Sequence, residues 1–123
     1  MTRQRFEEIA EDAFDHLPDE LKLRVENVQV VVEDYPTPEQ LRRVRLKSRE
    51  QLLGLYEGVP LSQRGTWYGI TPTLPDRISL FQMNIEAVCR TENEVEQKIR
   101  AVLIHEIAHH FGMDEQQIQK AGY

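Results

Sequence analysis

The chain has 123 residues, with 15 lysines and arginines against 21 aspartates and glutamates and a formal net charge of −6. That length predicts a single domain over residues 1–123, too small for the separate lobes with which larger enzymes clamp a substrate, so any cleft is shallow. The acidic balance excludes a nucleic-acid partner held by bulk charge, and the single cysteine, Cys89, excludes a disulfide-stapled secreted scaffold.

Phe6, Ile9, Ala10, Ala13, Phe14 and Leu17 trace one face of a first helix, which ends before Pro18. Its acids are unlike the apolar core of a signal peptide, and no apolar run approaches the roughly 20 residues needed to span a bilayer, so no membrane contact and a cytoplasmic address are expected. Residues 25–33 read as a β-branched strand with Val28, Val30 and Val32 on one face. The YPTPEQ segment breaks that strand, and the Arg- and Lys-rich residues 41–51 read as a solvated loop or frayed helix.

Residues 52–56 predict a second strand, followed by the long Gly- and Pro-punctuated stretch GVPLSQRGTWYGITPTLPD. Loops of that length in a small domain are disordered or part of a site, and the Trp67, Tyr68 pair favours order. Residues 77–83 then alternate Ile78, Leu80 and Gln82 against Ser79 and Phe81, a strand buried on one face and partly on the other. NIEAVCRTENEVEQ makes a short turn or helix before a long helix whose start is marked by Thr91 and Glu94, spaced as a capping box.

That long helix carries the chemistry. Residues 94–111 contain no Gly or Pro, and Val95, Ile99, Val102, Leu103, Ile107 and Phe111 recur at helical spacing. From 101 to 108 it is apolar nearly all round except at His105 and Glu106, as in a buried helix. His105 and His109 stand at i and i+4, about 40° apart and one turn along, so their imidazoles can face one ion. With Glu106 this is the H-E-x-x-H arrangement, two histidine ligands for Zn²⁺ and a glutamate as general base. One histidine on such a face is ordinarily a hydrogen-bonded core residue. Two in ligand register are a different matter, and a nearby dication also compensates the several kcal/mol that burying Glu106 as an unpaired anion would cost.

A catalytic zinc takes three protein ligands and keeps one position open. Gly112 is suited to the left-handed conformation that ends a helix and turns the following side chains back toward the ion. Glu115, ten residues after His105, stands where H-E-x-x-H-x-x-G-x-x-(H/D) peptidases carry their third ligand, and its carboxylate is a competent donor. Asp114 competes: it can ligate, orient a metal-bound histidine, or cap the helix read in DEQQIQKA. His110 lies about 140° around the helix from His105 and reads as a rim histidine.

HEIAHHFGMDE, together with LPDRISLFQMNIE, GTWYG and the terminal AGY, resembles the minimal zincin-like metallopeptidase family, small bacterial proteins, over most of the chain from about Phe6. The resemblance implies an α+β zincin-like fold: an amino-terminal helix, a short twisted sheet, an active-site helix and a small terminal helix. It also implies that the strand before the active-site helix, between Ile78 and Met83, is the sheet edge that receives a peptide, since an exposed edge holds extended chains through main-chain hydrogen bonds. One departure stands at position 115, where the family pattern often has aspartate.

The implied activity is peptide hydrolysis with zinc as cofactor, Glu106 taking the proton from the attacking water and returning it to the leaving amine. Tyr68, Tyr123 and His110 are candidates to steady the developing oxyanion. Two other classes remain: a metal-binding, catalytically weak interaction protein, and a metal-dependent endoribonuclease of the H-G-x-x-H-x-x-G-x-D-H type. Glu106 in place of that glycine and the acidic surface both oppose the last.

Overall fold

The computed structural model describes residues 1–58 and 75–123, so the GTWYG segment with Trp67 and Tyr68 lies outside the described residues. The first helix, α1 (Arg3–Asp15), begins where the Thr2 hydroxyl accepts the Arg5 N–H, and it buries Phe6, Ile9 and Ala10. A one-turn helix, α2 (Asp19–Lys22), follows Pro18 and buries Leu21. Strand β1 (Val28–Glu33) comes next, with Val28, Val30 and Val32 half-buried against the core.

The YPTPEQ segment is a helix start as well as a strand stop. Helix α3 (Pro38–Arg43) opens on a capping box between Thr37 and Gln40, with proline at its first position. Residues 41–51 are accordingly the end of a helix and a segment exposed or half-exposed throughout, as read, and α3 is tied to Glu57, which accepts hydrogen bonds from Gln40 Nε2 at 2.9 Å and Arg43 Nη1 at 2.6 Å. A 3₁₀ turn (Arg49–Gln51) leads into β2 (Gly54–Glu57). The buried Asn84 holds that turn, its Nδ2 donating to the carbonyls of Arg49 and Leu52 at 2.5 and 2.7 Å.

Strand β3 (Asp76–Phe81) runs straight into α4 (Gln82–Ala87), and α5 (Glu92–His110) starts from the expected Thr91–Glu94 capping box. Helix α6 (Glu115–Lys120) closes the described fold. The architecture is α+β, as the sequence implied. Val95, Ile99, Leu103, Ile104, Ile107 and Ala108 of α5 are buried in one cluster with α1, Leu17, Leu21, Ile78, Leu80, Ile85 and Ile118.

The sheet order is β1-β3-β2, with β3 parallel to β1 and antiparallel to β2. This corrects the expected edge. The segment from Ile78 to Met83 is not an edge strand: residues 78–81 form the middle of the sheet, hydrogen-bonded on both sides, and Gln82 and Met83 already belong to α4. Ile78, Ser79, Leu80 and Phe81 are all 0% exposed, because a central strand covered on both faces has no solvent side. Among the described residues, β2 is the edge strand next to α5.

Candidate metal centre

Helix α5 ends where the sequence places its stop. Gly112 has φ +87°, its N–H donates to the His109 carbonyl, and the Met113 N–H reaches back to the Ala108 carbonyl at 2.9 Å. These are the paired bonds of a Schellman turn. The turn has a chemical consequence, since it brings the Met113 carbonyl to 3.1 Å from His109 Nδ1. One turn earlier, His105 Nδ1 stands 2.8 Å from the Ala101 carbonyl.

A carbonyl oxygen only accepts, so both rings carry their hydrogen on Nδ1 and turn an Nε2 lone pair the other way. Glu115, the first residue of α6, faces both lone pairs: its Oε1 lies 2.9 Å from His109 Nε2 and its Oε2 3.7 Å from His105 Nε2. Lone pairs and a carboxylate at these distances repel unless a positive particle, a proton or a cation, stands among them.

The donor set fits zinc in kind, two imidazole nitrogens and a carboxylate. In spacing it is not drawn together: among the described residues no three His, Cys, Asp or Glu side chains surround a common point, and the His105 and His109 ring centroids stand 6.3 Å apart. The side chains of His105, His109 and Glu115 are 36%, 45% and 61% exposed, so an ion can reach all three.

Asp114 is committed elsewhere. Its carboxylate caps α6, accepting from the Gln117 N–H at 2.8 Å while the Gln117 side chain accepts the Asp114 N–H. That is the reading of Asp114 as a helix cap, and it leaves Glu115 nearest the two histidines. Of the three candidate oxyanion groups, Tyr68 is outside the described residues, and the Tyr123 hydroxyl is engaged with Glu20 Oε2 at 3.2 Å. His110 remains on the rim, stacked on the Tyr56 ring with centroids 3.8 Å apart.

Glu106 is half-buried, and burial raises its carboxyl pKa above the ordinary range; the Tyr56 N–H and then His109 and His105 pull it back down. The Tyr56 bond was not anticipated. Main-chain N–H of Tyr56 donates to Glu106 Oε1 at 2.9 Å, and the Tyr56 hydroxyl donates to Asp76 Oδ2 at 2.7 Å. Sequence did hold one sign of it, the glycines Gly54 and Gly58 at alternate positions around Tyr56, which mark a strand that something approaches closely.

The model of the zincin-like metallopeptidase family matches residues 25–123. This chain belongs to that family. Membership supports a zinc metallopeptidase at the level of the family. Its fold is similar to a solved structure, a conserved hypothetical protein from Thermo thermophilus, at 21% identity and a TM-score of 0.53, covering 89% of this chain and 94% of that one. No curated protein matches. No helix among the described residues is long and apolar enough to cross a membrane.

Proposed function

We propose that the protein is a zinc-dependent peptidase in which His105, His109 and Glu115 hold the ion and Glu106 is the general base. The observation that carries this is the convergence of both Nε2 atoms on the Glu115 carboxylate, an arrangement that a proton satisfies in part and a cation would satisfy in full. When bound by these residues, zinc would supply Lewis acidity toward a water and a scissile carbonyl. The rest is the work of the chain. Nδ1–H bonds to Ala101 and Met113 fix the tautomer and direction of both imidazoles. Glu106, desolvated and therefore more basic than an exposed carboxylate, takes the proton of the attacking water and returns it to the leaving amine.

The substrate proposed is an extended peptide, with β2 in place of the strand expected from sequence, since β2 is among the described residues the edge beside Glu106; the Tyr56 N–H, already given to Glu106, is not one of the groups that would hold it. A cytoplasmic address belongs to the same proposal.

The test is metal analysis of protein purified without added ions, then incubation of zinc-loaded protein with a mixed peptide library beside Glu106→Gln. Stoichiometric zinc and cleavage lost only in the variant support the reading. Cleavage by neither protein would leave a metal-binding protein without peptidase activity, and equal cleavage by both would exclude Glu106 as the base.

A further inference from the structure

We propose that the strand segment Gly54-x-Tyr56-x-Gly58 is a rail that sets the height of the active-site helix, with Tyr56 the positioning residue for Glu106. The proposal rests on the hydrolytic reading above and assigns a role to a strand that reading uses only as a peptide edge.

Three residues of α5 at i, i+4 and i+8 meet three alternate residues of β2 and its end. Val102 lies over Gly54, where an added Cβ would stand 2.5 Å from Val102 Cγ1 and 3.1 Å from the Ser79 carbonyl. Glu106 takes the Tyr56 N–H. His110 stacks on the Tyr56 ring, and a Cβ on Gly58 would stand 3.4 Å from His110 Cε1. Four helical residues advance about 6.0 Å and two strand residues about 6.6–6.8 Å, so the two ladders drift by less than about 1 Å per rung and stay matched over three.

Each rung has a separate physical basis. At Gly54 any side chain meets a β-branched valine with little rotamer freedom on one side and main chain on the other. At Tyr56 the N–H is turned toward the helix by the strand register: the Phe81 N–H bonds to the Leu53 carbonyl, and Leu55 and Glu57 pair with Ser79 and Arg77, so the intervening residue points its main-chain groups away from β3. The Tyr56 side chain cannot slide, held by Asp76 at its hydroxyl and His110 on its face. Committing Oε1 of Glu106 to a main-chain donor fixes the plane of the carboxylate and leaves Oε2 to meet the water. A general base must be placed to within fractions of an ångström, and a misplacement of about 1 Å costs on the order of a hundredfold in rate.

The experiment compares wild type, Gly54→Ala, Val102→Ala and the double variant Gly54→Ala/Val102→Ala, each zinc-loaded. Gly54→Ala is expected to lower kcat by about a hundredfold with KM and zinc affinity within about threefold of wild type. The double variant, which trades the clashing Val102 methyl for the new one, is expected to recover most of kcat. A glycine needed only for packing would lower thermal stability without this split. The activity-independent readout is the Tyr56 amide resonance by NMR: it should move in Glu106→Ala, move similarly in Gly54→Ala, and return in the double variant.

Wild-type kcat in Gly54→Ala, or a folded double variant without recovery, overturns the proposal. If Gly54→Ala does not fold, a Tyr56 amide that ignores Glu106→Ala overturns it in the native background. A wild-type protein that cleaves nothing defeats the peptidase reading instead, and the amide measurements then decide the rail alone.

Discussion

Glu106 and Tyr56 are 50 positions apart and are joined by one hydrogen bond, 2.9 Å from a strand N–H to a half-buried carboxylate. The bond only partly offsets burial, so the folded carboxyl keeps a raised pKa. A carboxyl raised in this way binds its proton more tightly folded than unfolded, and its ionisation therefore destabilises the fold. The penalty is absent below the ordinary carboxyl range, grows as pH rises from there through the folded pKa, and is complete above it. Metal-free Glu106→Gln should thus be more stable than metal-free wild type at neutral pH, the difference shrinking to nothing by about pH 4, the ordinary glutamate range. Urea denaturation across that range checks it. A difference independent of pH would contradict the assignment.

Glu115 and Asp114 are adjacent and have opposite duties, one facing the histidines and the other the start of α6. Glu115→Ala should weaken zinc binding by more than about a hundredfold with metal-free stability changed by under about 0.5 kcal/mol. Asp114→Ala should do the reverse, costing about 1 kcal/mol through the lost cap and leaving zinc affinity within about tenfold. Zinc titration and chemical denaturation of both variants distinguish the two carboxylates; swapped effects would reassign the ligand.

Gly112→Ala meets no neighbouring atom within 4 Å of its new Cβ, so its effect is that of the backbone alone. At φ +87° an alanine costs about 1 kcal/mol. Because the same turn carries the Met113 carbonyl to His109 Nδ1, zinc should also bind about tenfold more weakly. A variant that loses stability and keeps full zinc affinity would show that this carbonyl does not orient the ring.

Arg45 sits in the position that Gly112 fills on α5. With φ 59° it follows the end of α3, its N–H bonded to the Arg42 carbonyl while the Leu46 N–H reaches the Leu41 carbonyl. Arg45→Gly should therefore raise stability by about 0.5–1 kcal/mol, the strain removed exceeding the added chain entropy. Thermal denaturation reads this directly, and a lower melting temperature would count against it.

Most of this fold is local in origin, and those parts were legible. The α1 stripe, the Thr91–Glu94 box and the glycine stop at Gly112 each depend on residues within a turn or two of one another. Strand order does not. An apolar pattern tells which faces of a strand are covered and says nothing of its neighbours, although the burial of Ser79 and Phe81 beside Ile78 and Leu80 is the mark of a middle strand. The T-P-E-Q cap of α3 was readable and lay hidden in a proline-rich strand break. His105, Glu106 and His109 stood out in the sequence because all three lie on one helix. Tyr56 did not, since it acts through a main-chain atom that every residue except proline possesses.

The order β1-β3-β2 bears on how the protein is made. Val28 pairs with Asp76 and Gly54 with Leu80, so the first two strands have no sheet to join until the third has left the ribosome. Pairings so distant along the chain form slowly, because a long loop must close before any contact rewards it. His105, Glu106, His109 and Glu115 come later still in the chain. A nascent chain of this protein therefore acquires the residues proposed for its metal centre only after the strands that aim them have emerged.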